Sequence, residues 1–220
     1  MDLMVSMAVV AILIALMMPS LSTVREAARK VVCSSNVRQI GLGVAMYADD
    51  HRGLLPYTKF ADLAPGGQSN SQAMMILRTV DLTDAWDGLG YLYSVGYLDA
   101  AGVFYCPSHH GEHPFSRYAQ QWSGADGEIF GNYQFRGSES ITLDAFHGGQ
   151  AMVADGMRMA SDYNHFVGAN VLRADMTVRW YSDSGRAVAS LLPESAVDPN
   201  ASQKINDAWD AIDNWTSSTR

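Results

Sequence analysis

Three sets of side chains in this 220-residue chain are of types that do chemistry. His165 and Asp175, with His147 and Asp155 nearby, offer an Asp-oriented imidazole, the arrangement of a general base. A nucleophile should accompany such a base. No G-x-S-x-G is present, and neither Cys33 nor Cys106 forms a recognisable sequence pattern with a histidine. The pair therefore reads as structural, Asp175 shaping a turn and His165 hydrogen bonding across the loop before it. His109, His110 and His113 follow Cys106 closely and are of the type that binds zinc or copper. Their spacing matches no zinc pattern, so they read as exposed loop histidines. Asp126, Glu128 and Glu139 carry oxygens that suit calcium, but the stretch 124–128 is too short for an EF-hand loop. No metal or other cofactor is expected, and the chain is not expected to be an enzyme.

The elements that must position these residues are legible from periodicity. Short runs at 132–136, 151–154, 169–173 and 177–182 have the length and residue types of strands. The last two flank Ala174-Asp175-Met176, a tight hairpin. A type I′ turn favours Asp-Gly because both central residues take positive φ. Met176 in the glycine position either costs about 1 kcal/mol or forces another turn type. Helical stretches are expected at 71–80 and 84–95, with loops at 64–70 and 107–131. Ile205, Ala208, Trp209, Ile212 and Trp215 define an amphipathic C-terminal helix that docks on the domain.

The N-terminus carries the longest signal. After Asp2 no charge occurs until Arg25, leaving Leu3–Val24 uncharged. About 20 such residues cross a membrane. The start is acidic and the run too long for a cleaved signal peptide. The pattern continues through Leu21, Val24, Ala28, Val31, Val37, Ile40, Val44 and Tyr47, so one helix over 3–48 is expected, roughly 70 Å long. Its apolar stripe from Leu21 to Tyr47 is expected to pack on its own domain, and Pro19 should kink it or melt a turn. The organisation is then a transmembrane half, 1–24, a soluble half, 25–48, and a globular domain, 49–220. Residues 54–220 hold nineteen of the 23 acidic groups and ten of the 15 basic ones. So acidic a domain repels nucleic acid rather than recruiting it.

The apolar helix from Ala8 to Pro19 resembles that of type IV pilin-like proteins, in particular the pseudopilins of type II secretion systems. Asp2 falls where that family has a glutamate, and Pro19 falls on its proline. The family's leader, cleavage glycine and first mature residues have no counterpart here. Arg25-Glu26-Ala27-Ala28-Arg29, Cys33-Ser34-Ser35-Asn36-Val37-Arg38-Gln39-Ile40-Gly41-Leu42, Tyr47-Ala48-Asp49-Asp50 and Phe104-Tyr105-Cys106-Pro107-Ser108 resemble a large prepilin-type subgroup. That subgroup carries an H-x9-D-G signature, read here as His165 and Asp175 with Met176 in place of the glycine.

The resemblance implies an α+β, pilin-like fold: a long N-terminal helix, membrane-spanning in its first half, packed on a small antiparallel sheet with short helices and long loops. It implies a single-pass inner-membrane protein whose domain is periplasmic or extracellular. Read alone, the basic residues after the span place the domain in the cytoplasm. The implied partners are the membrane, other pilin-like subunits, and the assembly platform and motor of a secretion system. Asp2 and Pro19 become assembly residues, and calcium a possible ion, since some major pseudopilins bind it. Cys33 and Cys106 both sit in the motif blocks. A disulfide between them suits an oxidising compartment and would tie the helix to the domain, although spacing does not fix connectivity. The expected function is a structural subunit that assembles through its apolar helix. The alternative is a membrane-anchored periplasmic or surface binding protein with a pilin-like export anchor that does not polymerise.

Overall fold

The structure is a computed structural model that describes residues 2–58, 74–80, 86–137, 141–146, 149–195 and 197–215; within the first helix, the side chains of Asp2 and of residues 15–20 are not described. Helix α1, Asp2–Asp50, leads into a domain of two antiparallel sheets and short helices. Strands β1 (Ile76–Arg78) and β2 (Ile129–Phe130) form a two-stranded sheet. Strands β3 (Tyr133–Phe135), β4 (Ala151–Asp155), β5 (Gly168–Arg173) and β6 (Val178–Ser182) form a four-stranded meander in the order β3-β4-β5-β6. The remaining helices are α2 (Gly90–Ser94), α3 (Ala119–Trp122) and α4 (Ala201–Asp213).

The four-stranded sheet is covered on both faces, by α1 on one and α4 on the other. Side chains alternate across a strand. On β5, Leu172 joins the core under α1, while Ala169 and Val171 join the core under α4 with Ile205, Ala208 and Trp209. On β4 a register shift between Ala151 and Val153 turns both Met152 and Val153 toward α1, with Ala154 toward α4. The same alternation sends Asp155 and Asn170 to the α1 face, where the polar cluster described below lies.

Helix α1 buries a single stripe: Cys33, Val37, Ile40, Val44 and Ala48, three or four residues apart. Gly41 lies against the Leu172 side chain, and a Cβ there would overlap it. The helix ends where Arg52 and Gly53 take positive φ and the Gly53 N–H donates to Ala48 O at 2.7 Å.

Several expectations are corrected here. The stripe from Leu21 to Val31 does not pack on the domain: Leu21, Val24 and Val31 are exposed, and burial begins at Cys33. Of the two effects expected of Pro19, a melted turn does not occur: α1 stays helical through it. Among the described residues no helix is long and apolar enough to cross a membrane; their apolar run is Leu3–Ile14, about 18 Å of helix. Ile76–Arg78, expected as helix, is a strand, because its alternate residues pair with Phe130 and Ile129. The expected loop 107–131 contains α3 and β2. The Asp2 and Pro19 side chains, Glu139, His147 and the loop 64–70 lie outside the described residues.

The β5–β6 hairpin is not a type I′ turn. Met176 N–H donates to Arg173 O at 2.9 Å, and of the three loop residues Met176 alone has positive φ, at 62°. This is the three-residue connection, a type I turn closed by one left-handed residue. Asp175 Oδ1 accepts from Thr177 N at 3.0 Å and from Thr177 Oγ1 at 2.6 Å, which holds its carboxyl below its usual range. A side chain at the left-handed position costs about 1–2 kcal/mol, partly offset by glycine's larger entropy loss. Met176→Gly is therefore expected to stabilise the domain by about 0.5–1 kcal/mol. Urea denaturation will measure it; a destabilised variant would mean that the Met176 side chain holds the hairpin by packing.

Candidate functional site

A cluster of polar side chains under α1, buried apart from the half-exposed Glu26, comes from four separate segments. Helix α1 contributes Glu26 and, two turns on, Cys33. The loop after the 3-10 turn Ala101–Phe104 contributes Cys106. Asp155 ends β4, and His165 lies in the loop leading to β5. The Cys33 and Cys106 sulfurs, an Asp155 oxygen and a His165 ring nitrogen all lie within 4.8 Å of one another, and all four residues are buried.

Each member is oriented by neighbours. Cys33 Sγ donates to Asp155 Oδ1 at 2.8 Å and lies 3.3 Å from Tyr133 Oη. Asp155 Oδ2 accepts from Asn170 N at 2.5 Å and Asn170 Nδ2 at 3.3 Å, and Oδ1 accepts from Asn164 Nδ2 at 3.4 Å. His165 Nδ1 is 2.7 Å from Glu26 Oε1, while Nε2 is 3.5 Å from Cys106 Sγ and 3.8 Å from Asp155 Oδ2. Glu26 in turn accepts from Ser108 Oγ at 2.9 Å on each oxygen. Asn132 positions the Cys106 loop: its Oδ1 accepts from Cys106 N at 3.2 Å and its Nδ2 donates to His113 O at 2.9 Å.

These contacts set the protonation states. Burial disfavours the charged His165 ring, but the Cys106 sulfur, Asp155 and Glu26 outweigh it and raise the pKa to about 9. Burial likewise opposes a Cys106 thiolate, yet hydrogen bonds from Cys33 and His165 hold that thiol below its ordinary value. Burial, Cys106 and Asp155 push the Cys33 thiol far up. At neutral pH the His165 ring is therefore doubly protonated, its Nδ1–H pointing to Glu26 and its Nε2–H to Cys106. Cys33 remains a neutral thiol.

A pH profile follows. In the unfolded chain His titrates near 6.5 and Cys near 8.5. The raised His165 contributes stability that is complete below about 6.5 and is lost as pH rises through about 9. The depressed Cys106 contributes stability present above the unfolded thiol value and lost as pH falls through its lowered folded value. Asp155, Glu26, Cys33 and Tyr133 face the pair. The stability difference between the parent and His165→Gln, measured by denaturation of reduced, chelator-treated protein, is expected to be largest below about 6.5 and to fall as pH rises through about 9. A difference that does not change with pH over that range would exclude the charged ring.

The sequence-derived residues fare unequally. His165 and Asp175 are not brought together: Asp175 bonds within its own turn, and His165 reaches α1 and Cys106 instead of crossing its own loop. Cys33 and Cys106 do meet, but as free thiols engaged with Asp155, Tyr133 and His165 rather than as a disulfide. His109, His110 and His113 share no centre. His110 is exposed, as expected, with its ring tilted against Phe166, whereas His109 is half-buried with Nδ1 2.8 Å from Asn164 Oδ1 and His113 is buried against Tyr118 and Phe130, contrary to the expectation of exposed loop side chains. Sequence reasoning passed over Glu26, Tyr133, Asn132, Asn164 and Asn170. The available signal was an asparagine inside an apolar strand, Ala169-Asn170-Val171, since a buried amide there needs partners.

No curated protein and no solved structure matches the chain. The family described as Protein of unknown function (DUF1559) matches residues 22–179, a span that holds Glu26, both cysteines, Asp155, His165 and the turn between β5 and β6, and the chain belongs to that family.

Proposed function

We propose that this protein is a pilin-like structural subunit, a pseudopilin of a type II secretion-type system in the H-x9-D-G prepilin-type subgroup, that assembles through the apolar start of α1. The supporting observation is the uneven burial of α1. The domain covers its second half, whereas every described side chain from Leu3 to Ile14 is exposed, most of them apolar. Leu21, Val24 and Val31 extend this uncovered surface. Soluble monomers rarely expose contiguous apolar area of that extent, and such surface marks contact with lipid or protein. Membership of a family commonly associated with pilin-like and pseudopilin-like proteins supports the same reading.

In this reading the apolar segment lies in the inner membrane before assembly and against the same segment of neighbouring subunits afterwards, with the domain on the periplasmic or outer side. The fold serves to display the domain at the end of a helix about 74 Å long. A cysteine placed at Val10 is the direct test. Disulfide crosslinked dimers and ladders between copies, formed beside the cognate assembly machinery, are the expected result. Monomer alone in the membrane fraction would instead favour an anchored protein that does not polymerise.

A further inference from the structure

The buried cluster has a composition that hydrogen bonding alone does not require: two sulfurs, one imidazole nitrogen and one carboxylate oxygen converging from four segments. We propose that Cys33, Cys106, Asp155 and His165 bind one divalent transition-metal ion of the zinc class in a closed, four-ligand site that pins α1 to the sheet.

The donor set is the first argument. Zinc takes thiolate, imidazole and carboxylate ligands in tetrahedral sites with bonds of about 2.0–2.3 Å, which places donor atoms about 3.3–3.8 Å apart. The four donor atoms lie within 4.8 Å of one another, with 3.5 Å from Cys106 Sγ to His165 Nε2 and 3.8 Å from His165 Nε2 to Asp155 Oδ2 near that range. Cys33 Sγ lies 2.8 Å from the other Asp155 oxygen, Oδ1, a contact closed by a thiol proton that a cation would displace. Two thiolates favour zinc over magnesium or calcium, which prefer all-oxygen shells.

The surroundings are the second argument. A metal-binding histidine characteristically donates its other ring N–H to a carboxylate, which fixes the tautomer. Glu26 occupies that position on Nδ1, 2.7 Å away, and directs Nε2 into the cluster. Asn164 and Asn170 hold the Asp155 carboxylate, and Tyr133 lies beside the Cys33 sulfur. Four protein ligands with no open position describe a structural rather than a catalytic centre. Two surface hollows, of about 470 Å³ and about 420 Å³, border His165 and Cys106 from the solvent side.

Loading balances in charge and protons. Both thiols bind as thiolates and the His165 Nε2–H proton leaves to solvent as the cation enters, while the Nδ1–H stays on the ring and is donated to Glu26. Binding therefore releases protons and weakens as pH falls. The inference is independent of the assembly reading above: a metal-free subunit can still polymerise, and a monomeric protein can still hold the ion.

The test uses the full chain in detergent, with zinc content measured as isolated and after chelation under reductant. One zinc per chain is expected. Titrating the reduced, metal-free protein with Co²⁺ should give the visible and near-ultraviolet absorption of a tetrahedral thiolate site, at one equivalent, with a raised melting temperature. Cys33→Ser should abolish the thiolate band. Glu26→Ala removes a half-exposed side chain, so it should keep the fold and lower the affinity about 10–100-fold. A Cys33–Cys106 disulfide in the protein as isolated overturns the proposal. So does a folded, reduced protein that gives no thiolate–cobalt band, or a Glu26→Ala variant with unchanged affinity.

Discussion

Asp155→Ala is expected to destabilise the reduced, metal-free domain by about 3–5 kcal/mol, the cost of breaking a buried ion cluster from one side. Asp155 is fully buried and accepts hydrogen bonds from the Asn170 backbone and side chain, from Asn164 and from Cys33. Its removal leaves those donors unsatisfied in a site that water does not reach, and each such orphan costs about 1–3 kcal/mol. It also leaves the cationic His165 ring with Glu26 as its remaining carboxylate. A domain stable by about 5–15 kcal/mol loses a fifth or more of its stability on such a change. Asp155→Asn keeps the shape and part of the bonding, so it should fall between the parent and Asp155→Ala. Asp175→Ala, on an exposed turn, should cost about 1 kcal/mol or less. Urea denaturation of the three variants gives the order. An Asp155→Ala variant within about 1 kcal/mol of the parent would show that the cluster carries no charge at neutral pH.

The elements that pack by simple periodicity were legible in the sequence. The strands at 133–135, 151–155, 168–173 and 178–182 lie within one residue, at every end, of the runs whose length and residue types marked them, and α4 follows from its three- to four-residue apolar spacing. The second half of α1 was legible for the same reason. The site was legible only in pieces. Cys33, Cys106 and His165 were singled out, but separately, because they are 59 to 132 positions apart and their meeting depends on α1 crossing the sheet at Gly41. Asp155 was noticed beside His165, yet Asp175 was paired with the histidine because of their spacing. The alternation of β4, altered by its register shift, decides the matter: Asp155 points toward α1, whereas Asp175 sits in a solvent-facing turn. Glu26 was not seen as a site residue at all. On a helix it reads as one partner of the i, i+3 pair with Arg29, and only the fold turns it toward His165.

The cluster and the apolar start of α1 bear on each other through the same helix. Cys33 and Glu26 hold the middle of α1 to the domain, and the exposed segment begins just before them. Substitutions in the first segment should therefore leave the domain's folding untouched, while substitutions at the fully buried Cys33 should not.

Ile12→Asp separates assembly from folding more sharply than any other change. Ile12 is 60 % exposed and sits in the stretch whose side chains all face outward. A carboxylate at the centre of an apolar helix costs about 2.5–3.5 kcal/mol in a membrane, about a hundredfold in partition at each copy. The penalty recurs in an assembly of like helices, where each added subunit buries the charge again. Ile12→Asp is therefore expected to leave the domain's melting temperature unchanged, to reduce membrane retention, and to abolish crosslinking at Val10. Asp2→Ala tests the opposite kind of defect. Its charge is costly in an apolar helix unless paired, and a neighbouring subunit's amino terminus is the partner that the pilin-like reading supplies. Loss of assembly with full folding in both variants, and recovery in Asp2→Glu, is the expected pattern. Assembly by Ile12→Asp at the parental level would mean that the exposed apolar segment takes no part in the filament, and the pilin-like reading would fall with it.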